Sequence, residues 1–444
     1  MFWEFNSLKT ANKRPLNQSG LLLFCLRAGC RGVNGMRRKV WLMIGLFVLG
    51  TSGCQLSETA ITNAVDKSVT QQVNMTPTKA LPDSTPLRVT KRYSGVAVGD
   101  RRLWTESVNT REGFDRASRA AILFYALELG RQKTAENKTF NRPSVNKWLN
   151  KELNLARQNY QFAAKTCQSN DWTCIDAANN SDDFIAKAEG LRIPAALDSW
   201  QEKTTEFVGI YVAEQIHLAD VFPTTSSEID LFNDNEWDGD KISDRKFFLT
   251  FDDGPTGRGG NTDNVLQMLA AQKKSAVFFV LGQRFANRQK TNGPAALTQL
   301  YKGQCVGAHG WEHLSHEKRS KYAVDNKWQS SVTGTIALLK NTFDGASIFL
   351  PLFRPPYGQR KSDSGAFFQK EGLQVALWNM DSQDWNSQIK AEDIVNRMEI
   401  LMLIKRRGVL LFHDIHPKAE KAVPAIIADF GSAVEWGDCH QIAE

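Results

Sequence analysis

Apolar residues recur along this chain in two different patterns, one on either side of about residue 240. Before it they recur at three- and four-residue steps, as in RASRAAILFYALELG and PSVNKWLNKELNLARQNYQFAAKTC, which is the spacing of one helix face. After it, helical stretches alternate with short apolar runs, which are KFFLTF, SAVFFVLG, CVGAHG, SIFLPLF, QVALWNM and GVLLFHD. We therefore predict an all-α domain over residues 96–240, followed over residues 245–443 by an α/β domain with a parallel sheet or barrel.

The N-terminal part of the chain follows neither pattern. Residues 36–53 combine a basic start, an apolar core of eleven residues and small residues before Cys54, which is typical of a secretory signal and too short to span a bilayer. The TSGC sequence that ends at Cys54 is similar to a bacterial lipoprotein cleavage site. We therefore expect residues 1–54 to be a leader region, with Met36 as the possible true start and Cys54 as the lipidated residue.

Two further expectations follow from that leader. Residues 55–95 are rich in Ser, Thr, Asn, Gln and Lys, so we predict a disordered tether. The expected location is outside the cytoplasm, in the periplasm or at the outer membrane, on a lipid anchor. The alternative interpretation of the apolar core is a chance apolar patch or an uncleaved anchor.

Charge and cysteine content change the picture in two ways. The formal charge is +7, but residues 1–54 carry eight basic residues and one acid, which leaves 47 basic and 47 acidic residues beyond them. Nothing therefore indicates a nucleic-acid partner. Removal of the leader and acylation of Cys54 would leave four of the seven cysteines, and in an oxidising compartment Cys167 and Cys174 could form one disulfide, with Cys305 and Cys439 as the remaining pair.

Polar motifs stand at the C-terminal ends of the apolar runs. DDGP follows the first run, HGWEH the third, RPPYG the fourth and DSQDW the fifth, and HD ends the sixth. Taken alone, DDGP is also a common turn sequence. Because the carboxyl ends of parallel strands face a common mouth, five such motifs favour a site.

Two of these motifs suggest a metal ion. His309 and His313 are four residues apart, a spacing suited to a divalent cation, although two chance histidines are the alternative. With one carboxylate they would leave coordination positions open for water and substrate. The neighbours Asp252 and Asp253 then allow one carboxylate to bind the cation and the other to act as a base.

The five motifs in this order resemble those of the polysaccharide deacetylases, the NodB-homology domain of carbohydrate esterase family four, over about residues 245–443. The resemblance implies a deformed (β/α) barrel and one divalent metal ion, usually zinc. It departs at Gly310, where the family usually has Ser or Thr. The resemblance also implies a role for residues in all five motifs. Asp252 would be the general base, oriented by Arg354, and Asp253, His309 and His313 would be the metal ligands. His413 would be the general acid, with Asp384 or less favourably Asp381 as its partner, the backbone N–H of Tyr357 would be an oxyanion donor, and Trp385 and Leu411 would be walls of the pocket for the acetyl methyl group.

The predicted function is the removal of N-acetyl groups from an N-acetylhexosamine polysaccharide of the cell envelope, such as peptidoglycan, poly-N-acetylglucosamine or a chitin-like chain. One alternative is a non-catalytic carbohydrate-binding lipoprotein, which predicts the loss of a site residue, whereas all are present. A polysaccharide O-acetyl esterase is a second alternative. A non-haem iron oxygenase could use the same ligands, but it needs neither the second aspartate nor His413.

Overall fold

The computed structural model describes residues 77–79, 95–135, 141–221, 230–316 and 320–443. The predicted signal at residues 36–53, Cys54 and most of the predicted tether lie outside these ranges. Residues 75–444 cluster as one unit. No helix in the described ranges combines the length and apolar character that a bilayer span requires.

Four helices precede the sheet, and they are α1 (Arg111–Thr134), α2 (Arg142–Ala163), α3 (Ser181–Glu189) and α4 (Asp198–Val221). Helix α1 begins behind Thr110, whose side chain accepts a hydrogen bond from the Gly113 N–H at 3.1 Å. A disulfide joins Cys167 to Cys174 in the connection between α2 and α3. Two short strands, β1 (Pro77–Lys79) and β2 (Ile193–Pro194), pair antiparallel beside these helices.

Nine strands of the described chain form the main sheet, and they are β3 (Glu236–Trp237), β4 (Lys246–Asp252), β5 (Ala276–Val280), β6 (Cys305–Ala308), β7 (Phe349–Phe353), β8 (Gln374–Ala376), β9 (Met380–Asp381), β10 (Gly408–His413) and β11 (Glu435–Trp436). Their order is β3-β8-β7-β6-β5-β4-β10-β9, and β11 pairs with β4. Every pairing is parallel. A parallel sheet with connecting helices confirms the predicted α/β fold class.

Eight helices connect these strands, and they are α5 (Asn261–Gln272), α6 (Gly282–Asn292), α7 (Pro294–Leu300), α8 (Lys321–Val324), α9 (Lys327–Thr342), α10 (Gly365–Lys370), α11 (Ala391–Lys405) and α12 (Ala419–Phe430). Parallel strands need such crossovers, because a tight turn cannot return the chain to the same end of the sheet. The carboxyl end of each strand is therefore followed by a loop, and these loops carry the polar motifs.

Alternate strand residues enter different cores, because successive side chains point to opposite faces of a sheet. On β4, Phe247 and Leu249 join the large core that includes the helices, whereas Phe248 joins a smaller inner cluster with Phe279 and Leu352. A disulfide between Cys305 and Cys439 lies in that inner cluster. It ties β6 to the C-terminal 3₁₀ helix.

Helices α1–α4 and the sheet share the large core, and helices α1 and α2 pack on α11. Three ion pairs cross the same junction, and they are Lys405 Nζ to Glu152 Oε2 at 2.6 Å, Arg406 Nη2 to Asp115 Oδ1 at 2.7 Å and Arg397 Nη2 to Glu214 Oε1 at 3.2 Å. The basic side chain of each pair is buried. Near residue 240 the chain changes from helices to strands, but one hydrophobic core includes residues from both sides of that position. A domain boundary there therefore stays a prediction.

Candidate metal and catalytic site

The ends of neighbouring parallel strands bring the predicted residues to one edge of the sheet. Asp252 ends β4 and His413 ends β10, and the two residues are opposite each other in register. His309 directly follows β6, and Arg354 directly follows β7. The alternation of strands and helices that places these carboxyl ends together is therefore what builds the site.

Three side chains form a candidate metal centre. The Asp253 Oδ1 atom lies 3.4 Å from His309 Nε2 and 3.5 Å from His313 Nε2. His309 Nδ1 lies 2.8 Å from the backbone carbonyl oxygen of Arg354, so Nδ1–H donates there and Nε2 keeps its lone pair for a metal. Within the described chain, the buried Asp253 Oδ1 has no hydrogen-bond partner.

These distances fit a divalent ion. Ligand atoms about 2.0–2.1 Å from a tetrahedral ion lie roughly 3.4 Å from one another, which matches the two separations from Asp253 Oδ1. Burial lowers the pKa of His313 to about 4, so its imidazole is neutral. Burial alone would raise the pKa of Asp253, but His309, His313 and His413 bring it well below its ordinary value. A neutral imidazole and an ionised carboxylate are the forms that bind metals.

Asp252 stands beside this centre in a fixed orientation. The fully buried Arg354 donates from Nη1 to Asp252 Oδ1 at 2.8 Å and to Thr250 Oγ1 at 2.8 Å. Its other nitrogens donate to two backbone carbonyl groups at 3.0 and 2.9 Å. The second carboxylate oxygen, Asp252 Oδ2, lies 3.8 Å from His309 Nε2. Arg354 thus holds one oxygen of Asp252 and leaves the other facing the candidate metal centre.

His413 is held by Asp384. The distance from His413 Nδ1 to Asp384 Oδ1 is 2.7 Å, and the backbone N–H of His413 donates to Asp384 Oδ2 at 2.9 Å. Burial alone would lower the pKa of His413, but Asp384 and the two site aspartates raise it to about 10. Asp381 instead accepts a hydrogen bond from the backbone N–H of Gln383 at 2.8 Å. Of the two candidate partners, Asp384 is therefore the one that orients His413.

The remaining predicted residues lie on the same side of the sheet or in its loops. The ring centroid of Tyr357 is 4.2 Å from that of His313, and Tyr357 has a left-handed backbone with φ of +60°. Leu411 is buried beside Trp378 and precedes His413 by two residues on β10, on the same face. Trp385 directly follows Asp384 and is half-buried.

Gly310 is explained by the backbone. Its φ is +84°, a conformation that favours glycine over the Ser or Thr usual at this position. A Cβ atom there would lie 3.2 Å from Ser331 Oγ. That hydroxyl accepts a hydrogen bond from the Trp311 N–H at 2.6 Å. Ser331 of α9 therefore supports the metal-ligand loop from outside the motif.

His316 lies outside the five motifs, three residues after His313. Its ring is buried and stacks on Phe353 with centroids 5.6 Å apart. Burial lowers the pKa of His316 to about 3. It is therefore a neutral packing residue. The other unassigned histidine, His416, is half-buried, with its ring centroid 6.1 Å from that of His413.

Sequence reasoning missed Asp414. Its side chain is fully buried, and burial raises its pKa to about 7. Its N–H donates to the Asp252 carbonyl oxygen at 3.3 Å, and a Cβ atom on Gly254 would lie 2.0 Å from Asp414 Oδ2. A side chain at position 254 would therefore collide with the buried Asp414 carboxylate, which explains the glycine of DDGP. The signal available was an acidic residue directly after His413 at a strand end.

Sequence reasoning also missed a contact from the helical region. Glu214 of α4 accepts a hydrogen bond from the Gln383 side chain and is paired with Arg397, which donates from Nε to the Asp381 carbonyl oxygen at 2.9 Å. These groups hold the loop that carries Asp384. No motif surrounds Glu214, so its sequence context resembles that of any helical glutamate.

The C-terminal region is similar in sequence to known proteins. Residues 239–376 match the family model described as polysaccharide deacetylase. Peptidoglycan-N-acetylglucosamine deacetylase PgdA of Listeria monocytogenes is 30% identical over 174 residues, which cover 39% of this chain and 33% of that protein. Chitin deacetylase 1 of Saccharomyces cerevisiae is 32% identical over 179 residues, which cover 38% of this chain and 52% of that protein. The chain thus spans between a third and about half of the length of these relatives.

A solved structure is similar over the same region. The family 4 carbohydrate esterase from Streptomyces lividans in complex with acetate is 28% identical, with a TM-score of 0.35, and the match covers 43% of this chain and 91% of that one. The family model ends before Asp384 and His413. The sheet places His413 opposite Asp252, and Asp384 contacts His413.

Proposed function

We propose that this chain, whose C-terminal region carries a polysaccharide deacetylase domain, hydrolyses N-acetyl groups of an N-acetylhexosamine polysaccharide. The observation that supports this most is the candidate metal centre of Asp253, His309 and His313, with Asp252 on one flank and His413 on the other. We expect one divalent ion, zinc, on those three ligands. When bound, the ion would polarise the acetyl carbonyl and lower the pKa of an attacking water.

Two protein groups would then move protons. Asp252, oriented by Arg354, takes a proton from the attacking water as general base. His413 is protonated at neutral pH, because its pKa is raised to about 10 by Asp384 and the site aspartates despite its burial. It can therefore donate a proton to the amine nitrogen as the C–N bond breaks. An amine is a poor leaving group without that proton.

The other predicted residues would bind the acetyl group. The backbone N–H of Tyr357 donates to the oxyanion, a kind of interaction that contributes on the order of 3 kcal/mol in other hydrolases. Leu411 and Trp385 enclose the methyl group. The buried position of Leu411 suits an apolar wall.

The substrate class is supported by the relatives, whose names include peptidoglycan and chitin deacetylases. O-acetyl ester cleavage is the second candidate, because the same metal centre can polarise an ester carbonyl. We also propose export and lipid attachment at Cys54, supported by the signal-like sequence of residues 36–53. Loss of membrane association in a Cys54→Ser chain would test the anchor.

The test is acetate release from peptidoglycan, poly-N-acetylglucosamine and chitin oligomers by the zinc-loaded protein. We expect the wild-type chain to release acetate and Asp252→Asn to lose about 10²- to 10⁴-fold in rate while its zinc content stays the same. Removal of zinc with a chelator should abolish release. Equal rates for the two chains would contradict the role of Asp252, and release from O-acetyl substrates alone would favour the esterase.

A further inference from the structure

A cavity of about 450 Å³ lies between the DDGP loop and helix α6. Its nine lining residues include Arg258, Arg284, Arg288, Asn287 and Asn292, and none of the nine is acidic. A cavity lined by three guanidinium groups, amides and hydroxyls is suited to an anion. The deacetylation chemistry proposed above makes no use of these residues.

The three arginines differ in how they are held. Arg288 is buried and donates to both carboxylate oxygens of Asp263 at 3.0 and 2.9 Å and to the Thr256 carbonyl oxygen at 2.6 Å. Its charge is therefore balanced, and its role is to fix the loop against α6. Arg258 and Arg284 are exposed. Neither pairs with a carboxylate among the residues that the structure describes.

The cavity is adjacent to the candidate metal centre. The first two residues of α6 donate backbone hydrogen bonds, at 2.9 and 3.0 Å, to the loop between His309 and His313, and Arg284 is the next residue. On the opposite wall, Arg258 follows Asp253 by five positions in a short loop. An anion bound by both arginines would therefore lie close to the candidate metal centre. It would be carried by a part of the glycan next to the sugar that reacts.

We propose that Arg258 and Arg284 bind a carboxylate carried by a sugar next to the N-acetylhexosamine that loses its acetyl group. This inference rests on the proposed function and narrows its substrate class to acidic glycans. In a neutral chitin-like chain nothing would pair with the two guanidinium groups. In peptidoglycan, alternate sugars carry a lactyl group, whose carboxylate is free where no peptide is attached, so the charge would lie beside the N-acetyl groups of such stretches.

The test is a binding comparison on the zinc-loaded Asp252→Asn chain, which prevents turnover. One ligand is a tetrasaccharide of alternating N-acetylglucosamine and N-acetylmuramic acid with free carboxylates, and the other is the same tetrasaccharide with its carboxyl groups reduced to alcohols. By calorimetry at fixed ionic strength, we expect the carboxylate form to bind about tenfold more tightly. Introducing Arg258→Gln and Arg284→Gln into this chain should remove the preference for the carboxylate form. The control substitution Arg192→Gln, at an exposed arginine of the helical region, should leave the preference unchanged.

Equal binding of the two ligands, no binding of either, or a preference that survives in the double arginine variant would each overturn the proposal. The two arginines are exposed, so we expect unchanged unfolding temperatures in the variants, and the comparison of the two ligands on the parent chain needs neither substitution. Acetate release separates this inference from the proposed function. If the wild-type chain releases acetate but the two tetrasaccharides bind equally, only the arginine site is overturned. If the carboxylate form binds more tightly but no acetate is released, the arginine site is supported and only the deacetylase function is overturned.

Discussion

The His413 imidazole can act as an acid only while it is protonated, and Asp384 controls that state. The 2.7 Å contact between Asp384 Oδ1 and His413 Nδ1 is a chief reason why the pKa of His413 is raised, despite burial, to about 10. A raised pKa keeps the acid form available as pH rises, and activity is lost only as pH passes that value.

We therefore expect Asp384→Asn to lower the pKa of His413 and to move the alkaline limb of the kcat profile to lower pH. At pH 9 the loss in kcat should be at least about tenfold. The measurement is kcat from pH 6 to pH 11. Asp381→Asn is the matched control, because Asp381 makes its hydrogen bond to Gln383 and should shift the limb less. An alkaline limb at the same pH in Asp384→Asn and wild type would contradict this role of Asp384.

Individual residues also show how far the sequence could predict the site. The metal-ligand candidates and both candidates for proton transfer stand in motifs whose residue types match their chemistry. Ser331 stands outside every motif, and Asp414 stands in the HD motif without a role that the motif assigns, because the importance of both comes from where their side chains lie. Ser331 is on α9 and accepts a hydrogen bond from the Trp311 N–H. No sequence spacing relates these two residues. Such contacts between distant segments need coordinates.

At the scale of elements, helix α4 contacts the loop between β9 and α11 through Glu214. Gln383 in this loop has a left-handed backbone with φ of +54° and donates from its side chain to Glu214. Asp384 is the next residue. Because Glu214 also pairs with Arg397, its carboxylate fixes the loop from two sides.

We expect Glu214→Ala to lower kcat about tenfold with little change in KM, because Glu214 positions Asp384 and touches no substrate. The alkaline limb of kcat should move in the same direction as in Asp384→Asn. Glu214→Gln should recover part of the rate, since an amide oxygen can still accept from Gln383. Glu206→Ala is the control, because Glu206 lies on the same helix and pairs with Lys203 at the surface. A Glu214→Ala chain that unfolds at a lower temperature yet keeps its kcat and pH profile would show a structural role only.

The elements were predictable in proportion to their length. The six apolar runs correspond to β4, β5, β6, β7, β8 and β10. Strands β3, β9 and β11 have two residues each, too few to show any alternation. The order of the strands was not predictable either, because an apolar run marks a buried strand without naming its neighbours.

At the scale of the whole molecule, helix α11 shows how closely the helical region is joined to the sheet. Eleven of its fifteen residues are buried, whereas a helix on the outside of a sheet normally keeps a polar face in water. Helices α1 and α2 cover that face. They also supply Glu152, the acidic partner of the buried Lys405, and Asp115, one of two acidic partners of the buried Arg406.

A chain of residues 230–444 should therefore fail to fold alone, in contrast to a control chain of residues 75–444. Removal of one partner from a buried ion pair costs about 3–5 kcal/mol. The shorter chain loses the carboxylate partners of Lys405 and Arg397 together with the apolar cover of α11, whereas Arg406 keeps Asp244. That sum is comparable with the total stability of a typical domain, about 5–15 kcal/mol. We expect the shorter chain to bind a hydrophobic dye, to aggregate and to lack a cooperative thermal transition, while the control is monomeric and unfolds in one step. If residues 230–444 instead unfolded cooperatively at the temperature of the control and released acetate at the same rate, the helices would be an independent attachment, and Glu214 could not be the residue that positions Asp384.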